Sequence, residues 1–184
     1  MDDIDPRYLA VLNRYGTDTN PHTKGSLLSH LAGTYRLLQQ WGNPQHVALA
    51  GLFHSIYGTQ YYKVSSTGLS DREAIAAEIG KEAESLAHLF CATDRLGLFF
   101  ELDKDSPHLW HMSEQRLLAV EPETVQELAE IEVANRVEQH SAAAVLAKDH
   151  VSHLRQMLER GRDYLTTGAT ESFERLLSDK AAAA

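Results

Sequence analysis

The chain is predicted to fold as an all-α, single-domain helical bundle. Three observations predict this. Apolar residues recur at three- and four-residue spacings in segment after segment, helix start and stop signals bracket those segments, and no sustained apolar-polar alternation marks a strand. Without an internal repeat or a low-complexity linker, residues 1–184 read as one domain, with a core over about 22–160 and a C-terminal helix and tail over 161–184. A chain of this size buries roughly 70% of its unfolded surface, enough for a substantial apolar core.

Each element follows from its residues. Leu9 and Leu12 define a short helix from about Pro6 to Tyr15, stopped near Gly16 and followed by the polar loop "TDTNPH". Leu27, Leu28, Leu31, Tyr35 and Leu38 form the apolar stripe of a second helix, ending near Trp41-Gly42 and carrying His30 at the stripe's margin. Asn43-Pro44 is a start signal, Asn as cap and Pro at the first helical position. The helix it opens, "VALAGLF", is apolar on nearly every side, so it should cross the middle of the domain and end on His54 and Ser55. Gly58 then turns the chain sharply.

"SDRE" at Ser70 to Glu73 reads as a capping box opening a helix that is interrupted at Gly80 and continues through "KEAESLAHLF". Residues 91–120 mix aromatics, charges and a proline and read as loop with short helical pieces. Pro122 starts a helix whose inward face carries Val125, Leu128, Ile131 and Asn135. Two further helices cover about Ala142 to Arg160, with Val151, Leu154 and Leu158 inward, and about Thr170 to Ser178.

Composition excludes several function classes. With 26 acidic against 17 basic residues the formal charge is −9, which repels a nucleic-acid backbone or an anionic membrane, and no Lys/Arg run offsets it. The longest strongly apolar run, Val47 to Phe53, is far short of the roughly 20 residues of a membrane helix. The acidic start "MDDIDPRY" lacks the pattern of a secretory signal, and the single cysteine, Cys91, excludes a disulfide within the chain. The expectation is a cytoplasmic protein that binds neither nucleic acid nor membrane.

Polar residues on inward-facing helices need partners, because an unpaired polar group in an apolar interior costs about 1 to 3 kcal/mol. His30, His54 with Ser55, and Asn135 are such residues, and they are expected to be one another's partners. The order of a His on one helix, a His-led doublet ending the next buried helix and a small polar residue on a late helix resembles the HD-domain superfamily of helical metalloproteins. "SLLSHLAGTYRLLQQWG" resembles its first-His helix, "VALAGLFHSIYGT" its doublet helix and "IEVANRV" its late-Asp helix. The "GLFHSIYGT" form resembles an uncharacterised, domain-of-unknown-function branch of that superfamily.

The resemblance implies a metal-binding fold, but Ser55 stands where the family has the doublet Asp and Asn135 where it has the late Asp. A charge pair at 4 Å is worth about 4 kcal/mol at an effective dielectric near 20, so losing two carboxylates beside a dication is a large deficit. No obligatory metal is therefore expected; the alternative is Fe, Mn or Zn held by His30, His54 and His88.

The expected function is an enzyme acting on a small polar molecule by acid-base chemistry. His30 or His54 would be the proton carrier, and Ser55 and Tyr57 the other reacting groups. Ser55 cannot pair with His54, since consecutive helical residues do not face each other. Thr59, Arg72, Asp94, Arg95 and Asn135 are the candidate substrate-binding residues, with the guanidiniums suited to a carboxylate or phosphate. Two alternatives are a metal-dependent hydrolase or oxygenase and a non-catalytic binding module on the same scaffold. His22, His46, His108, His111, His140, His150 and His153 read as surface residues.

Overall fold

The computed structural model describes residues 4–17, 21–22, 25–58, 68–141 and 147–182. Among them are eight α-helices and two short antiparallel strand pairs. Helix α1 (Pro6–Arg14) starts where Asp5 accepts the Arg7 N–H at 2.9 Å, and it buries Tyr8, Val11 and Leu12. After the two-residue strands β1 (Pro21–His22) and β2 (Gly25–Ser26), α2 (Leu27–Gln40) buries the whole predicted stripe, His30 included.

Helix α3 (Gln45–Phe53) is the central element: every residue from Val47 to Phe53 is buried. Its start differs from the sequence expectation. Pro44 takes the cap position without a side-chain cap bond, and Asn43 instead donates from Nδ2 to Glu130 at 2.9 Å. The turn at its end is completed by Gly58 at φ +76°, a conformation that side chains disfavour.

Helices α4 (Arg72–Ile79) and α5 (Lys81–Ala92) meet at Gly80, φ +92°. The Ser70–Glu73 capping box is replaced by a 3-10 turn at Leu69–Asp71, in which Gly68 N–H donates to Asp71 Oδ2 at 3.3 Å. A second 3-10 turn, Leu98–Phe100, is one of the short helical pieces expected after α5.

The same region also holds a hairpin that the sequence reading missed. Strands β3 (His108–His111) and β4 (Arg116–Ala119) pair with Trp110 opposite Leu117 and His111 opposite Arg116. Along β3, Leu109 and His111 are buried while His108 and Trp110 are exposed. One inward member is a histidine and one outward member a tryptophan, so the burial alternates but the apolarity does not.

Helix α6 (Pro122–Ser141) is the second central element, followed by α7 (Lys148–Gly161) and α8 (Thr167–Ala182). Helix α2 packs on α3 and α6, α3 on α5 and α6, and α8 on α6 and α7. One contiguous apolar core runs from Ile4 to Leu177. Among the described residues no helix is long and apolar enough to cross a membrane.

Glu130 on α6 ties three parts of this packing together. Buried at 4% exposure, it accepts Thr166 N–H at 2.5 Å and the Thr166 hydroxyl at 3.2 Å just before α8, as well as the Asn43 amide. Replacing Glu130 by Ala leaves three partly buried donors without this acceptor and is expected to cost about 1 to 3 kcal/mol, measured by urea unfolding. Glu130→Gln keeps an acceptor oxygen and should lose less than half as much.

Candidate functional site

Two of the predicted polar residues come together in the interior. His30 Nε2 and His54 Nε2 lie 3.2 Å apart, the rings meet edge-on at 78°, and the residues are only 3% and 1% exposed. The outer nitrogens fix the protons. Gly51 O, 2.7 Å from His54 Nδ1, can only accept, so Nδ1 carries a hydrogen. A neutral His54 therefore presents a bare Nε2, to which His30 Nε2–H donates. His30 Nδ1 then faces Glu138 Oε2. The result is a chain of donors and acceptors from Glu138 through both imidazoles to the backbone of α3.

The carboxylate in this chain was not foreseen. Asn135 was expected to meet the histidines, yet its amide donates to Glu132 at 3.3 Å, and Glu138 reaches His30 from one turn further along α6. Helix geometry gives the reason: residues 135 and 138 lie on neighbouring positions of one face, and the register of α6 against α2 selects between them. That register also places Gly33 under Glu138; a Cβ there would meet Glu138 Cγ at 2.7 Å.

The remaining predicted residues separate into several places. Ser55 is buried at 5% exposure beside the pair. Thr59 lies outside the described residues. Asp94 closes a local turn by accepting the Leu96 N–H at 3.1 Å. Arg95, 6% exposed, is no substrate clamp: Nη1 bonds Glu132 at 2.9 Å and the guanidinium lies 4.7 Å from the centre of the Phe90 ring. Burial pushes Glu132 upward, but Arg95 and Arg136 outweigh it and hold the carboxyl below its usual range.

Tyr57 and Arg72 face an open cavity of about 600 Å³ on the other side of α5, together with His88, Cys91, His111 and Glu114. Glu84 organises one wall. It receives Arg72 Nε at 2.7 Å, Arg72 Nη2 at 2.8 Å and the Tyr57 hydroxyl at 2.9 Å. Burial opposes ionisation of Glu84, yet these bonds hold it below the usual carboxylate range, while burial and the Glu84 bond push the Tyr57 phenol up.

The other wall carries two imidazoles. His88 lies edge-on to Tyr57, with ring centres 5.6 Å apart, and 6.3 Å from His111. Burial, then the Arg72 charge, lowers the His88 pKa below the ordinary 6.5. His111, read from sequence as a surface residue, is 5% exposed, and its Nδ1 accepts the Glu114 N–H at 3.2 Å. A neutral His111 therefore keeps its hydrogen on Nε2, 3.6 Å from Glu114 Oε1. No apolar periodicity announces β3, so nothing in the sequence signalled that His111 would join His88.

Cys91 connects the two sites: it lines the cavity, and its Sγ donates to His54 O at 3.0 Å. The single hollow expected around His30 and His54 is thus a sealed imidazole pair backed onto an open, separately lined cavity. Among the described residues no group of three or more His, Cys, Asp or Glu side chains is placed to hold a metal ion.

The chain is similar over residues 11–95 to a family described as Domain of unknown function (DUF6817). That stretch holds His30, His54, Tyr57, Arg72 and His88, and leaves out α6 and the hairpin with His111. No curated protein and no solved structure matches the chain.

Two measurements check this electrostatic picture. Burial pushes the Cys91 thiol up to about 12, so an aromatic disulfide reagent at pH 8 should label the native protein roughly 1,000-fold more slowly than the unfolded chain. Rapid native-state labelling would contradict it. Folded His88 binds its proton more weakly than it does in the unfolded chain, so acid favours unfolding through this group. Its contribution is present above pH 6.5 and is lost as pH falls through 6.5 towards the folded pKa. Stability of His88→Gln and of the parent, compared from pH 7.5 to 5, should converge.

Proposed function

We propose that this protein is an enzyme acting on a small polar molecule by proton transfer in the cavity between α5 and the β3–β4 hairpin. One observation carries the reading. Two imidazoles of complementary character, a neutral acceptor at His88 and an N–H donor at His111, face one open cavity that Tyr57 and Arg72 also line. A base that is neutral at working pH beside a donor is what abstraction and return of a proton require. The cavity's charges occur in pairs, Arg72 with Glu84 and Glu114 with Arg116, so the preferred substrate is polar and of low net charge.

In this reading the catalytic positions shift outward from the sequence expectation. His30 and His54 are the support: they hold α2 and α3 in register, and His54 presents its backbone carbonyl to the Cys91 floor. Kinship with the HD superfamily belongs to the same proposal. It is supported by the mutual packing of α2, α3 and α6 and by the convergence of His30 and His54. A reducing, cytoplasmic setting accords with a single buried thiol.

A binding module without catalysis has one observation in its favour, the backbone bond that gives His54 a structural role. The same experiment separates the two. A panel of small polar metabolites is screened by NMR with labelled histidine, and any binder that shifts His88 and His111 is then assayed for turnover. Turnover should rise with pH along an inflection below 6.5 and fall about 10²- to 10⁴-fold in His88→Gln. Binders that leave both resonances unmoved, or turnover indifferent to His88→Gln, would reject the proposal; binding without turnover would establish the module.

A further inference from the structure

A second histidine pair stands away from the cavity. His140, in the last turn of α6, and His150, in the first turn of α7, place their Nε2 atoms 3.1 Å apart with ring centres at 4.8 Å and planes at 74°. Both residues are half-buried, so solvent reaches them, unlike His30 and His54.

We propose that His140 and His150 form a binding clip for a divalent late first-row metal ion, joining α6 to α7. Three features carry this. Two imidazole nitrogens about 2.0 to 2.1 Å from one ion, at a tetrahedral or cis angle, lie roughly 3 Å apart, the separation already present. The ligands come from two helices, so a bound ion would cross-link the end of α6 to the start of α7. His153 follows His150 by three residues on α7, which places it on the same helical face. Water completes the coordination.

Arg136, one turn before His140, turns its guanidinium to Glu132 Oε1 at 2.7 Å, a carboxylate that it shares with Arg95, so the imidazole donors, and not the surrounding charge, would hold the ion. Neutral imidazoles select Ni, Cu or Zn over Mg or Ca, because they are borderline donors without the hard oxygens that the latter ions need.

The test uses the full chain and Ni(II) as probe. Ni(II) at about 100 times its dissociation constant should raise the melting temperature by about 5 to 10 °C. His140→Asn and His150→Gln, made separately, should each weaken binding at least tenfold, and His153→Gln by less. Paramagnetic broadening should centre on the His140 and His150 ring signals. The clip is overturned if the parent shows no melting shift, if both single variants bind Ni(II) as the parent does, or if broadening centres on other histidines. Circular dichroism of each variant without metal, matching the parent, keeps a lost shift from being a folding defect.

Discussion

Two imidazoles touching in a dry interior impose a strict condition on this fold. At 3.2 Å, one Nε2 must donate and the other accept, and each outer nitrogen then needs its own partner. Gly51 O supplies one from within α3, and Glu138 supplies the other from α6. The consecutive helices α2 and α3 and the distant α6 are thereby held in one register. Two glycines make the approach feasible. A Cβ on Gly33 would strike Glu138, and a Cβ on Gly51 would lie 2.3 Å from Leu38 Cδ1. The polar chain and the close packing require each other.

The rest of the polar interior follows the same logic along α6. Glu130, Glu132 and Glu138 point to three different neighbours: the start of α8 with Asn43, the turn after α5, and α2. Removing one partner of a buried ion pair such as Arg95–Glu132 strands a charge, which costs more than the pair itself contributes. Such groups therefore specify how the helices dock more than they add to stability. They also explain why α6 has no single apolar stripe although it lies in the core: its acids are each answered by an element that the chain reaches only later or earlier.

The open cavity draws its character from this rigid interior. Cys91 spans the wall between sealed pair and cavity, Glu84 holds Arg72 and Tyr57 on one side, and the hairpin brings His111 to His88 on the other. Arg72 and Tyr57 are thus fixed by bonds to the buried Glu84 behind them. A site held by packed helices retains its geometry with little reorganisation, which is the condition for orienting a small substrate.

The sequence by itself determined the helical class and most helix positions, because apolar spacing and glycine stops are local signals: the α2 stripe, the wholly buried α3 and the break at Gly80 were all legible. It also marked His30 and His54 as interior residues, since each sits among apolar neighbours. What it did not contain was the identity of their partners. Asn135 and Glu138 share one face of α6, and only the docking of that helix on α2 decides which meets His30. Arg95 looked like a substrate clamp until Glu132 was brought against it. The cavity was decided later still, when a hairpin without an apolar alternation carried His111 to α5. Local order comes from residues a few positions apart, whereas a site is made by side chains that only the folded chain brings within bonding distance.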